Sequence, residues 1–216
     1  HGYLSRYSFQ DSIRDKATLP LYFEAVEVRL HIDQAAIDEA YAQLTDDLSE
    51  EERDDLTKRA AKMAVLIKAP VRVDAICKHI ANHFQSKVEP NGFKAQVVCH
   101  SKLACIRYRK GIKSALAERL AREEAKASPD SDLIQRLRFL KTAVVVSSDG
   151  TNEAAYITHA RKQAQRMNAV ENFCRSFDFE DPDKEYTGIA FLIVCDMLLT
   201  GFDAPIEQVM YIDKKL

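Results

Sequence analysis

The chain has 216 residues, 46% apolar and 30% charged, with a formal charge of −2. This suits a globular protein with one sizeable core or two small ones and excludes disordered and fibrous classes. The apolar runs, such as Ala143–Val146 and Ile189–Cys195, are too short to span a bilayer and no charged-then-apolar leader opens the chain, so a cytoplasmic location is expected.

In chain order, Tyr3–Asp15 carries turn-like polar residues without a sustained period. The stretch Leu19–Leu30 follows, and from Phe23 onward apolar and charged residues nearly alternate, which predicts an edge strand. From Asp33 to about Val88 the period becomes helical, with Ile37, Tyr41 and Leu44, and later Ile76, Ile80 and Phe84, three or four apart. Ser49 and Glu52 read as a capping box. A connector with an edge strand over 1–30 and a helical insertion over 31–88 are therefore expected.

Past Glu89-Pro-Asn-Gly92, a turn by composition, short apolar runs rich in β-branched residues alternate with helical stretches. Strands are predicted at Lys94–Cys99, Thr142–Ser147, Ile189–Cys195 and Gln208–Asp213. Helices are predicted around Lys102–Ala127, Ser131–Leu140 and Asn152–Phe177. This is the pattern of an α/β fold in which helices flank a parallel sheet, here a domain over 89–216.

Charge is unevenly spread: Asp33–Asp55 is acidic, whereas Lys102–Arg122 carries seven Lys or Arg against Glu118 alone. A local basic face follows. The five cysteines include no Cys-x-x-Cys pair, so neither a zinc site nor a disulfide frame is read. No two of the six glycines are five apart, so the Gly-x-x-x-x-Gly-Lys phosphate cradle is missing. Asp38-Glu39 sits in a helical pattern and not at a strand end, where a magnesium-binding pair belongs. His79 and His83 share a helix face at metal-ligand spacing, without the glutamate or third ligand of a catalytic site.

Two strand ends hold polar groups suited to an anion. His100-Ser101-Lys102 places a capping hydroxyl and a cation at a helix start, which is either a phosphate site or simply a well-capped helix. Ser147 and Ser148 offer hydroxyls after the next strand. A third end runs Thr200-Gly-Phe-Asp-Ala-Pro205, where Gly201 allows close backbone approach and the Asp203 carboxylate either accepts from a ligand hydroxyl or caps the turn.

Phe93–Ala104, Val144–Gly150 and Leu198–Pro205 with the tail Val209–Leu216 resemble the second RecA-like motor domain of superfamily 2 helicases. More narrowly, Thr-Gly-Phe-Asp-Ala-Pro followed by Met-Tyr-Ile-Asp-Lys resembles the R subunit of type I restriction-modification enzymes, and Tyr7–Asp15 with Leu19–Glu24 is similar to the connector between its two motor domains. The resemblance implies an ATP-dependent translocase of double-stranded DNA that also cleaves DNA in its full length. It implies ATP and Mg²⁺ for the whole polypeptide, with none bound to this piece alone, and as partners the first RecA-like domain, duplex DNA, and methylation and specificity subunits. By the same resemblance Gly201 and Asp203 contact nucleotide, and Ser101, Lys102 and Thr200 contact DNA phosphates; Ser147 and Ser148, at a strand end on the same sheet edge, are expected to join them as DNA contacts. Cys195 and Thr200 depart from the commoner Thr and Arg of the superfamily. The opening His1, and a chain that stops before the family's arginine-finger helix, predict a piece of a longer polypeptide that is inactive alone. A non-catalytic interaction module is the competing expectation, and a stand-alone Rossmann-like enzyme a weaker one.

Overall fold

The computed structural model describes residues 7–18, 20–26, 69–148, 150 and 153–214. The α-helices are α1 (Phe9–Arg14), α2 (Pro70–His83), α3 (Lys102–Glu124), α4 (Ser131–Phe139), α5 (Ala155–Arg166) and α6 (Ala169–Phe173), and the strands are β1 (Lys94–Cys99), β2 (Lys141–Val145), β3 (Ile189–Val194) and β4 (Glu207–Asp213). The strands form one parallel sheet in the order β2-β3-β1-β4. The α/β architecture with a helix-flanked parallel sheet is thus present, consistent with a RecA-like fold.

β1 and β3 are buried along their whole length, as central strands of a parallel sheet must be. Ala95, Val97, Cys99, Phe191 and Ile193 face α2 and α3, where they meet Cys77, Ile80, Phe84, Tyr108 and Ile112. Phe84 and Phe191 have ring centroids 4.3 Å apart. Each buried Val, Ile or Phe contributes about 1.5–3 kcal/mol by leaving water, and this face buries more of them than the other. Gly111 lets α2 and α3 close on each other, because a Cβ there would lie 2.5 Å from Cys77 Sγ. The helix α2, grouped with the insertion by sequence, packs into this core.

The opposite face is built differently. Val98, Leu192 and Val194 meet Ala164, Ala169 and Phe173 of α5 and α6, with Leu198, Leu199, Phe202 and Ala204 added from the segment that joins β3 to β4. That segment crosses β1 without forming a helix.

The single helix expected over Asn152–Phe177 is two. Met167 and Asn168 interrupt it, Asn168 sits at φ +43°, and Asn172 Nδ2 donates to the freed Met167 carbonyl at 2.8 Å. Asn tolerates this left-handed backbone better than other non-glycine residues. Nor is Tyr3–Asp15 merely turn-like: α1 forms in it behind a capping box in which Asp11 N donates to Ser8 Oγ (3.2 Å) and Ser8 N to Asp11 Oδ2 (2.9 Å). Residues 20–26 lack the strand pairing predicted from Phe23 onward. Glu27–Leu30, Asp38-Glu39, the Ser49–Glu52 box and most of the expected insertion lie outside the described residues.

Candidate functional site

The strand order creates a fork. After β1 the chain turns to α3 on one face, whereas after the adjacent β3 it turns to the segment 196–204 on the other. Two neighbouring parallel strands whose connections leave toward opposite faces define a switch point, where open α/β sheets bind ligands beyond their carboxyl ends. The first loop carries Ser101 and Lys102, and the second carries Thr200, Gly201 and Asp203.

Ser101 caps α3, its Oγ accepting from Ala104 N at 3.2 Å. Lys102 turns across the sheet end: its Nζ donates to the Ser147 carbonyl (2.7 Å) and lies 4.0 Å from Glu153. The Glu153 carboxylate is only 2% exposed and also holds Arg161 (2.6 Å) and the Thr158 hydroxyl (2.8 Å). A buried carboxylate needs this many donors to offset its desolvation. Lys102 is therefore both a cation at the sheet end and a strut between the loops after β1 and β2. Ser147 and Ser148 are exposed beside it.

At β4 the carboxyl end is locked by charge. Arg72 grips Asp213 with both terminal nitrogens, Nη1 donating to Oδ2 at 2.9 Å, and the Tyr108 hydroxyl donates to the same Oδ2 at 2.6 Å. Burial pushes the Asp213 carboxyl up, but the Arg72 and Tyr108 hydrogen bonds outweigh it and hold it below its ordinary value. The next residue, Lys214, pairs with Asp196 after β3 and donates to the Cys195 carbonyl at 3.4 Å. The hydrogen bond that Lys214 donates to the Asp196 carboxylate lowers that carboxyl below its ordinary value.

The segment after β3 descends the face of β1. Leu198 has φ +61°, and its carbonyl accepts from Gln96 Nε2 at 3.3 Å. Thr200 and Gly201 are exposed, and Gly201 takes φ +67° with nothing within 4 Å of where a Cβ would stand. Phe202 stacks on Phe173 at 6.3 Å, and the exposed Asp203 has its carbonyl 3.9 Å from Cys174 Sγ. Asp203 thus lies toward the amino end of the sheet, where Lys94 starts β1 and Ile206 O accepts from Lys94 N.

The structure therefore brings Ser101, Lys102, Ser147 and Ser148 together at the carboxyl edge, with Thr200 and Gly201 on the segment leaving that edge and Asp203 apart from it. The sequence reading missed Glu153, Arg161, Asp196 and Lys214, although Lys214 directly follows the last strand. Their roles arise from pairing across loops, which spacing alone does not reveal.

The other groups with chemical potential are structural. Burial pushes the Cys77 thiol up to about 12 and the Cys195 thiol up to about 11, so both stay protonated near neutrality. His79 and His83 stack at 6.2 Å, and His83 Nδ1 lies 2.8 Å from the Tyr211 hydroxyl. Among the described residues no group of three or more His, Cys, Asp or Glu is arranged to hold a metal ion. Of the cations expected to form a basic face on α3, Arg109 bonds Gln163 (2.8 Å) and Arg122 pairs with Glu118 (3.3 Å), while Lys110 and Lys113 are exposed.

Comparison with known proteins agrees with this architecture. Residues 91–216 match the family described as type I restriction enzyme subunit R domain 3, and residues 1–54 match the SWI2/SNF2 ATPase family. The putative type I restriction enzyme MjaVIIP endonuclease subunit of Methanocaldococcus jannaschii is 30% identical over 235 residues, which cover 99% of this chain and 20% of that protein. The type I restriction enzyme HindI endonuclease subunit of Haemophilus influenzae is 27% identical over 215 residues, 99% of this chain and 18% of that protein. The chain spans about a fifth of the length of these relatives. With more than half of its residues matched by the domain 3 family, the chain belongs to the type I restriction enzyme subunit R family.

Proposed function

We propose that this chain is the second motor domain of an ATP-dependent double-stranded DNA translocase, part of an R subunit that cleaves DNA in its full length. The observation that carries the reading is the fork between β1 and β3, from which two polar loops leave toward opposite faces. Ser101, Lys102, Ser147, Ser148 and Thr200 offer hydroxyls and a cation near one sheet edge, a combination that suits backbone phosphates and carries no base-reading geometry. Gly201 and Asp203 lie farther along the same segment, with Asp203 toward the amino end of the sheet, and their proposed contact with nucleotide rests on the family resemblance of the Thr-Gly-Phe-Asp-Ala-Pro run.

For ATP the fit is partial. Gly201 gives close backbone approach, and the exposed Asp203 carboxylate can accept from ribose hydroxyls. When bound, ATP would supply the free energy of phosphoryl transfer for movement. The residues that cradle its phosphates and hold Mg²⁺ are assigned to the first RecA-like domain of the same polypeptide. Methylation and specificity subunits are the further partners proposed, in a cytoplasmic complex. The exposed Leu21, Tyr22 and Phe23 would lie against one of these neighbours.

The test is fluorescence anisotropy of two unrelated duplexes across a salt series. Binding is expected to be weak and equal for both, with log affinity falling roughly one unit per log salt for each phosphate contacted. Lys102→Ala should reduce that slope by about one and weaken both duplexes alike. Salt-independent binding, or a marked preference for one duplex, would overturn the reading in favour of a protein-interaction module.

A further inference from the structure

We infer that Gln96 is a positioning residue for the 198–203 loop, holding its strained entry peptide in place from beneath. The inference rests on the reading of that loop as a nucleotide contact. Three observations converge. Leu198, a bulky residue without the freedom of glycine, is held at φ +61°, a left-handed backbone that persists only where its surroundings enforce it. The Gln96 amide nitrogen donates to the Leu198 carbonyl at 3.3 Å, and only the nitrogen can face that oxygen. Finally, Gln96 is fully buried in the middle of β1, and its Oε1 has no hydrogen-bond partner among the described residues.

The last point separates positioning from stability. A buried amide acceptor without a partner loses at least as much as one amide hydrogen bond returns, so an apolar side chain of the same length would serve the core better. The amide brings one thing that such a side chain lacks, a donor directed at Leu198. Below that contact the loop is fixed again where Phe202 stacks on Phe173. Thr200 and Gly201, both exposed, are suspended between these two points, so their position follows from Gln96 at one end and Phe173 at the other.

The experiment uses the full-length R polypeptide assembled with its partner subunits, comparing Gln96→Met and Gln96→Glu with wild type. Gln96→Met keeps the length of the side chain and removes the donor, whereas a glutamic acid buried at this place is protonated and keeps an O–H donor. Chymotryptic cleavage within residues 198–203, measured as an initial rate without nucleotide, should quicken about three- to tenfold in Gln96→Met, the range expected for one lost hydrogen bond, and less in Gln96→Glu. The KM for ATP should rise by a similar factor in Gln96→Met with kcat changed less. Wild-type loop cleavage in folded Gln96→Met, or cleavage quickened equally in Gln96→Glu, overturns the inference. Quickened cleavage in Gln96→Met with an unchanged KM upholds Gln96 as the anchor and instead removes the nucleotide reading of the loop.

Discussion

The two faces of β1 are covered in opposite ways. On one, Ala95, Val97 and Cys99 meet a helix layer in which Cys77, Phe84, Tyr108 and Ile112 are all wholly buried. On the other, two polar side chains, Lys94 and Gln96, lie wholly buried beside Val98, and an irregular segment lies over them where a helix would be expected. The first face resembles an ordinary interior, close-packed and intolerant of change. The second gives up apolar burial for contacts to backbone carbonyls, Leu198 O from Gln96 and Asn172 O and Thr187 O from Lys94. One face therefore sets stability, and the other sets where the 196–204 segment lies.

The largest expected effect tests that division directly. Phe191→Ala, which empties the site against Phe84, should cost about 3–5 kcal/mol, as phenylalanine truncations in cores do. Phe202→Ala, on a half-buried ring of the other face, should cost about 1–2 kcal/mol, because less area leaves water. Denaturant midpoints of the two variants give the comparison. Equal losses would show that the segment over β1 is as much a part of the core as the helices.

A smaller effect concerns the lock at the end of β4. Arg72→Met leaves the Asp213 carboxylate, whose side chain is 14% exposed, with the Tyr108 hydroxyl still donating to it and should cost about 2 kcal/mol. Because Asp213 is held below its ordinary value, its contribution is present above pH 3.8 and is lost as pH falls through the folded value. The difference between wild type and Arg72→Met should therefore shrink in acid. A difference that is constant down to strongly acidic pH would show that Arg72 acts by packing alone.

The sheet was legible in the sequence because its strands are short runs of β-branched residues bounded by turns, and Lys94–Cys99 appears with the predicted ends. The break at Asn168 was not, since a run such as Ala155–Phe173 keeps its helical period across one left-handed residue. The candidate site was legible as loop chemistry: Ser101, Ser147 and Thr200 could be picked out because hydroxyls at strand ends need no tertiary information. The partners of Lys102 and Lys214 could not, because Glu153 lies far from the first in sequence, and only the sheet order places Asp196 beside the second. Lys94 and Gln96 stand at alternate positions of β1, and nothing in the local sequence signals their burial. They are buried because the 196–204 segment and α6 cover that face, a consequence of the β3-to-β4 crossing and not of local pattern.

The smallest effect expected is a shallow stability minimum near neutral pH, arising from the amino end of the sheet. Burial pushes Glu207 up to about 7, and burial also pushes Lys94 down to about 7. For Glu207 the folded state binds its proton more tightly than the unfolded chain, so stability is fully present below pH 4.5 and is lost as pH rises through about 7. For Lys94 the sign reverses. The folded state binds the proton less tightly, so the cost of burying the cation is fully present below about 7 and is relieved as pH climbs toward 10.5. The faces of Phe177 (4.8 Å) and Phe173 (5.8 Å), together with the two carbonyls, favour the cation and temper this rise. Denaturation midpoints should therefore fall from about pH 5 to 7 and recover from about pH 7 to 9.5. Glu207→Gln should flatten the acid limb and leave the alkaline one, and Lys94→Met should do the reverse. If Lys94→Met keeps the alkaline recovery, the lysine remains charged throughout, and the polar face of β1 is held by a permanent cation.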